Sequence, residues 1–328
     1  MGWHAVTVRR RVFAWITAVD ACFIYRIKLP LEALDTTRWA ATWGPPPPDI
    51  HDYDVVIGQR LAGSNPEWLA LCADPNVLTV YDADDDLIWL DPENEVPYSI
   101  YAPLSEDTKR NVQAADVVTT CTPYVAERYT ELNDNVHVLP ICVDAITVER
   151  PLLTTPDRLT VGWAGSPFHR HDWEAERLTE VLVKYLTTQP RATFHALGSD
   201  YTDGRLEGRA RVSGYQTHNA HLASFDIDIG LAPLNRTSHN RGKSWTRPLE
   251  YAARGAPVIA TRWGQYPDWV QHGVNGFIVD TFGEWLDALD ALTDDTMRGP
   301  MSTAARESAR RATIGKHIHL WERAYEAN

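Results

Sequence analysis

The sequence predicts an α/β fold in which two Rossmann-like halves follow one another along the chain. Three observations carry this reading. Short apolar runs of strand length alternate with segments that carry helix-start signals, the pattern of parallel doubly wound sheets. The alternation lapses once, through AITVERPLLTTPDR, and then restarts. The chain has 328 residues, more than one small core accommodates and enough for two domains of about 150.

VFAWITAV is the first strand, and after a turn at Asp20 to Cys22 the segment LPLEALDTTRWAATW reads as helix. GPPPPDI breaks the chain, because four consecutive prolines fit neither regular element. DVVIGQR is a buried strand, NPEWLALCA a helix opened by Asn65 and Pro66, and VLTVYDADDD a strand that ends in acid. ADVVTTCT and VHVLPICV are strands with the helix PYVAERYTEL between them. The second half opens on the strand LTVGWAGS, followed by a helix from Asp172 to Leu186 and the strands ATFHALGS and DIDIGLAPL. TRPLEYAARG is a helix, PVIAT and GFIVD are strands, and the closing IGKHIHLWERAYEAN is an amphipathic helix that could pack on its own half or back on the first. The domains expected are 1–148 and 149–328. Ligands of open α/β sheets bind outside the carboxyl ends of the strands, so two such sheets facing each other would make a cleft fed by loops from both.

Composition narrows the function classes. Hydrophobic residues at 44% and charged residues at 23% exclude wholesale disorder, collagen-like repeats and coiled coil. No apolar run approaches the ~20 residues of a membrane-spanning helix, and Asp20 interrupts the best candidate, VFAWITAVDACFIY. The opening MGWHAVTVRRRVFAW lacks a small-residue cleavage site, so a cytoplasmic location is expected. Cys22, Cys72, Cys121 and Cys142 lie far apart with no CxxC, which argues against a zinc knuckle or redox pair and for four buried, reduced thiols. Net charge is −13, and residues 1–150 hold 11 Lys+Arg against 23 Asp+Glu, so nucleic acid and acidic membranes are poor partners for that half.

Two stretches after strands have the chemistry of anion sites. From Gly242 to Asp280, a loop bearing Lys243, Ser244 and Arg247 runs into a helix with Pro248 in its first turn and Glu250 just behind. A helix N-terminus favours an anion and the cations supply full charge, so a diphosphate would be held there without metal, while Glu250 could accept hydrogen bonds from sugar hydroxyls. A solvated basic loop would have the same composition. In LTVGWAGSPFHRHDW, Gly165 and Ser166 close a strand, and His169 and Arg170 precede a helix with Asp172 near its start, a second anion cradle without a P-loop lysine. Trp163, Trp245, Trp263 and Trp269 lie beside these loops, where packing is the commoner use of tryptophan and stacking on a base the alternative.

These motifs, in order over most of the second half, resemble the donor-binding half of GT-B glycosyltransferases, particularly the retaining family 4 type. The pieces that match are GWAGS, FDIDIGLAPL, KSWTRPLEYAARGAPVIAT and GQYPDWVQHGVNGFIVD. The resemblance implies a transferase using a nucleotide-sugar co-substrate, such as a UDP or GDP sugar, with no metal and no other cofactor. It implies that Glu250 contacts the nucleotide ribose and that Lys243 and Arg247 contact the diphosphate. Two departures stand out: Gly242 occupies the place of a first glutamate common in the family, and the usual arginine of the first donor loop is absent, with His169 and Arg170 the nearest substitutes. The first half resembles the acceptor half of that fold more loosely, through IYRIKLP, DVVIGQR, and ADVVTTCTPYVAERY leading to VHVLPICVD. There Tyr25 and Arg26 are expected on the acceptor side.

Asp82, Asp84, Asp85 and Asp86 end one strand, and crowding of carboxylates raises the pKa of at least one. Such a group could accept the proton of an acceptor hydroxyl or stabilise charge at the donor's anomeric carbon, and Asp84 or Asp85 is the catalytic candidate. The same acids allow rivals. A DxD pair can hold a divalent metal in single-domain GT-A enzymes, which leaves the second Rossmann half unexplained. YDADDDL also resembles the strand end of haloacid-dehalogenase-like phosphatases, which would make Asp82 a nucleophile. A non-catalytic sugar-nucleotide or glycan-binding protein of the same fold is the third alternative.

Overall fold

The structure is a computed structural model that describes residues 9–150, 158–206, 208–214 and 226–327. The chain divides into two compact units: Met1–Ile141 with Ile314–Asn328, and Cys142–Thr313. Each is a parallel six-stranded sheet flanked by helices.

The first unit contains β1 (Arg10–Trp15), β2 (Trp39–Gly44), β3 (Val55–Gln59), β4 (Leu78–Ala83), β5 (Val117–Thr120) and β6 (Val136–Val138), in the order β2-β1-β3-β4-β5-β6. Every residue of β3 and β5 is buried, as a parallel sheet covered on both faces requires. The helix Pro66–Cys72 begins where Asn65 accepts the Trp68 N–H at 3.0 Å, and it places Trp68 and Leu71 in the core. The segment expected to be one helix from Leu29 to Trp43 is a short helix, Leu29–Ala33, followed by β2. Asp35 ends the helical turn by accepting hydrogen bonds from the Thr37 N–H at 2.9 Å and its hydroxyl at 2.8 Å, a local bond that competes with helix. The closing helix, Ile314–Glu326, belongs to this unit: Trp321 is fully buried, Tyr325 meets the edge of Trp39 at 6.4 Å, and Arg38 binds Glu322 and Glu326.

The second unit contains β7 (Leu159–Gly165), β8 (Ala192–Gly198), β9 (Ala210–Ser213), β10 (Ile229–Ala232), β11 (Val258–Thr261) and β12 (Gly276–Val279), in the order β12-β11-β10-β7-β8-β9. The expected helix from Asp172 to Leu186 is two helices, Arg170–Ala175 and Leu178–Thr188, because Arg177 between them sits in the left-handed region at φ 53°. The unit begins at Cys142 rather than at 149. The Val143 N–H donates to the Ala312 carbonyl, and Arg306 donates to the carbonyls of Val148 and Arg150, tying this segment to the helix Asp295–Arg311.

Both sheets reverse their winding once, between β1 and β3 and between β7 and β10. The carboxyl ends of the strands at such a reversal are where open parallel sheets bind ligands. In the second unit that place is braced by Tyr251, whose hydroxyl accepts from the Ala164 N–H at 2.9 Å and donates to the Leu231 carbonyl at 3.0 Å. The ring fits because residue 230 has no side chain: a Cβ there would lie 2.3 Å from the Tyr251 ring. Gly230→Ala is therefore expected to cost at least the ~1–3 kcal/mol of core overpacking. A melting temperature equal to that of the parent would show that Tyr251 can move aside without loss.

The four cysteines form no disulfide; Cys121 and Cys142 are buried, whereas Cys22 and Cys72 are only half-buried, against the expectation of four buried thiols. Among the described residues no helix is long and apolar enough to cross a membrane.

Candidate functional site

In the second unit the reversal between β7 and β10 gathers the residues singled out in the sequence. Gly165 ends β7, and Ser166 begins the loop that carries His169 and Arg170. A Cβ at Gly165 would lie 2.2 Å from the Trp163 ring, which is itself buried against Trp173 and Tyr201, so Trp163 is core and not a stacking platform. Tyr201 donates its hydroxyl to the Ser166 carbonyl. His169 lies 2.9 Å from Asp172, and Arg170 turns toward Glu174, Asp203 and the face of Tyr201.

Asp172 does more than begin a helix. Its second oxygen accepts the Asn235 N–H at 2.9 Å and the Asn240 amide at 2.6 Å, which locks the loop after β7 to the loop after β10. From there the helix Ser238–Arg241 leads into Lys243, Ser244 and the helix Thr246–Ala253. Ser244 bonds Thr246 at 2.8 Å. Arg247 and Glu250 share one face of the helix three residues apart, and the guanidinium donates to the Glu250 carboxylate at 2.6 Å. Glu250 is only 3% exposed, so its charge is balanced inside the fold by a cation at the helix N-terminus. The Gln265 N–H donates to the Lys243 carbonyl at 3.2 Å, which sets the loop after β11 against the basic loop. Burial pushes the Tyr266 phenol above the ordinary value, Arg247 opposes, and Asp172, Tyr251 and Glu250 add to the rise. The carboxylate of Asp172 and the Arg247–Glu250 pair thus act on one buried ring.

In the first unit the reversal lies between β1 and β3, and Arg60 spans it. This residue follows β3 directly and adopts φ 49°, a conformation that side-chain-bearing residues rarely hold. Its guanidinium lies 2.5 Å from Asp20, beyond β1, and 3.6 Å from Asp84, beyond β4. Asp84 is 8% exposed. Burial pushes its carboxyl above the ordinary value, Arg60 pulls it back, Asp85 pushes it up again, and a hydrogen bond from Cys22 favours the ionised form. Burial raises the Tyr101 phenol, Arg60 opposes, and Asp84 and Asp85 add to the rise.

The four acids have different fates. Asp82 is 2% exposed, with one oxygen bound by Arg26 at 2.6 Å and Thr119 at 2.7 Å and the other facing Arg26 at 3.3 Å. Three donor contacts and burial hold this carboxylate in the core, which argues against its serving as the phosphatase nucleophile. Arg26 is 1% exposed and also donates to the Leu139 carbonyl, and Tyr25 is 3% exposed, so both are core groups rather than the acceptor-side surface expected of them. Asp86 pairs with Arg128 at 2.6 Å and accepts the N–H groups of Ile88 and Trp89. Asp84 lies 3.6 Å from Arg60 just past the end of β4, and Asp85 is its neighbour in the chain. Among the described residues no three His, Cys, Asp or Glu side chains are grouped as metal ligands. Arg60 and the bridging of Asp172 between two loops are not anticipated from the sequence; the local signal for Arg60 is a lone charge directly after the strand VVIGQ.

Residues 170–322 match the family model described as glycosyl transferase-like. Among solved structures, HepE of Anabaena in complex with UDP and glucose is similar over 98% of this chain and 100% of its own, with TM-score 0.69 and 13% identity. Sucrose-phosphate synthase of Thermosynechococcus elongatus is similar over 97% of this chain and 98% of its own, with TM-score 0.69 and 14% identity. TarM of S. aureus, in complex with fondaparinux, α-GlcNAc-glycerol and UDP, has TM-score 0.60 and 13% identity over 83% of this chain, which spans 55% of that protein's length. No curated protein matches. The fold is thus GT-B, two parallel six-stranded sheets, and the resemblance read from the sequence is borne out for the fold and for the glycosyl transferase-like region.

Proposed function

We propose that this chain is a glycosyltransferase that moves a hexosyl group from a nucleoside-diphosphate sugar, with UDP the first nucleotide to try, to an acceptor hydroxyl, without a metal and with retention at the anomeric carbon. The observation that carries the reading is the Arg247–Glu250 pair at the N-terminus of the helix beside the β7–β10 reversal. A diphosphate arriving there competes for the Arg247 guanidinium, joined by Lys243 and by N–H groups near Gly165 and Ser166. Glu250, released from Arg247, turns its lone pairs to the ribose hydroxyls. Charge on the leaving diphosphate grows in the transition state, so cations held there lower the barrier rather than merely binding the donor. HepE and TarM were solved with UDP, which supports the choice of nucleotide.

At the acceptor end, Asp84 is the base, Asp85 its charged neighbour and Arg60 the group that holds it. Bond formation at the acceptor oxygen releases a proton, which Asp84 takes, while the sugar–phosphate bond breaks and its electrons leave with the nucleoside diphosphate. The folded protein holds the Asp84 proton more tightly than the unfolded chain does. Its stabilising contribution is therefore full below the ordinary carboxylate pKa and is lost as pH rises through the raised value. Above the raised value Asp84 is ionised, able to take a proton, and no longer adds to stability. Asp84→Asn is expected to lower transfer by ~10²–10⁴-fold while melting no lower than the parent at neutral pH. Retained activity, or a lower melting temperature accompanying the loss, would assign Asp84 a structural role.

The decisive assay is transfer of label from a radiolabelled UDP-sugar to an acceptor or to water. Gly242, where the family commonly has glutamate, favours the alternative of a binding protein that lost turnover. Tight binding of donor with neither transfer nor hydrolysis would establish that alternative and end the enzyme reading.

A further inference from the structure

The second unit contains a cavity of about 470 Å³ on the edge of its sheet opposite the donor loops. Its walls include Asp228, just before β10, Arg254 and Gly255, before β11, and one side of the helix Asp295–Arg311, whereas the donor loops follow the carboxyl ends of β7 and β10. Strands in this sheet are parallel, so the two places lie at opposite ends of them.

The lining is cationic. Among the described residues, Arg254, Arg298, Arg306 and Arg310 face two carboxylates, Asp228 and Asp295. Arg298 is engaged by Asp295, and Arg310 by Glu149 at 2.9 Å. Arg306 donates to the carbonyls of Val148 and Arg150, dipoles that fix its position without cancelling its charge. Arg254 is 6% exposed, and burial, then the charges of Arg150 and Arg306, push its pKa below the ordinary arginine value. Burial pushes the carboxyl of Asp228 up, while the Thr160 N–H, which it accepts at 2.7 Å, and the Arg298 charge oppose the rise. Arg254, Arg298, Arg306 and Arg310 thus line a space of the size that small-molecule sites occupy, with Ser302 and Thr303 in its wall.

We propose that this cavity binds a small phosphorylated molecule of about sugar-phosphate size, separately from the donor. The guanidinium fork matches phosphoryl oxygens in pairs, and a dianion entering the cavity meets Arg254 and Arg306 in its wall. The inference does not rest on the donor reading.

The test titrates glucose 6-phosphate and, in a parallel arm, inorganic phosphate into the full chain by calorimetry. Each titration is run alone, with saturating UDP, and in the Lys243→Ala/Arg247→Ala background, which removes the donor cations whether or not UDP binds. Glucose 6-phosphate is expected to bind under all three conditions, and Arg254→Met and Arg306→Gln are each expected to weaken it at least tenfold. Arg306→Gln retains an amide donor for the Val148 carbonyl, so it reads the cavity even if Arg254→Met fails to fold. Equal affinity for inorganic phosphate would identify the free anion as sufficient within the same site. Binding abolished by UDP in the parent, affinity unchanged in both arginine variants, or no binding of either probe would overturn the proposal.

Discussion

Arg247→Ala is expected to lower kcat/KM for sugar transfer by ~10²–10³-fold, the usual loss when one preorganised group facing developing charge is removed. The loss should fall on kcat as well as KM, because the diphosphate carries more charge when it departs than when it binds. Arg247→Lys should recover part of it, since a point charge returns but the paired donors of the guanidinium do not. Glu250→Gln is the contrasting variant: the amide keeps a hydrogen-bond acceptor for ribose, so a rise in KM for the donor with kcat nearly kept is the expected result. Steady-state rates over donor concentration separate the two. The arrangement explains why they should differ. Glu250 holds Arg247 at 2.6 Å, so the alanine variant leaves a carboxylate that is 3% exposed without this cation, while the glutamine variant leaves the cation in place. Equal losses in kcat for Arg247→Ala and Glu250→Gln would mean that the pair acts only as a buried ion pair, and the donor reading would fall.

The proposed donor end was legible because its information is local. Arg247 and Glu250 are three residues apart on a segment that Pro248 marks as a first helical turn, and that spacing alone places them on one helix face. Asp172 could be read only as an acid near a helix start, since its defining partners are Asn235 and Asn240, more than sixty residues further on. Four neighbouring aspartates looked interchangeable for the same reason. Arg26 claims Asp82 from 56 residues upstream, Arg128 claims Asp86, and Arg60 reaches Asp84 from beyond β3. Local pattern cannot assign partners across a sheet. The left-handed backbone of Arg60 was equally hidden, because a non-glycine residue in that conformation is imposed by its surroundings. The strand β2 was missed where Trp39, Ala40, Ala41 and Trp43 fit helical and strand periods alike, and the turn bonds of Asp35 decided between them.

The buried ion pair of Arg26 and Asp82 provides the largest stability effect. Asp82→Asn is expected to cost about 3–5 kcal/mol, because it strands a guanidinium that is 1% exposed with no countercharge at that contact. The Thr119 hydroxyl can still donate to the asparagine carbonyl, so the loss reports the charge rather than the hydrogen bond. Arg26→Met should destabilise the first unit comparably, leaving a carboxylate in the same dry place. The informative variant is the double substitution Arg26→Met/Asp82→Leu, which removes both charges and keeps apolar volume. Taking two ions out of water costs several kcal/mol each, and their attraction repays this only in part, so the double variant should recover most of what either single loses. A double-mutant cycle on urea unfolding reads the coupling. Additive losses would mean that the two side chains stabilise the fold independently. Arg26 sits within Ile24–Lys28, an i→i+5 helical turn, and its third contact, to the Leu139 carbonyl, ties that turn to the chain just past β6. Recovery of stability with transfer activity intact would confine Arg26 and Asp82 to architecture. Recovery of stability with activity lost would instead show that the pair sets the position of Asp84, two residues beyond Asp82 at the end of the same strand, and so connects the core of the first unit to its proposed base.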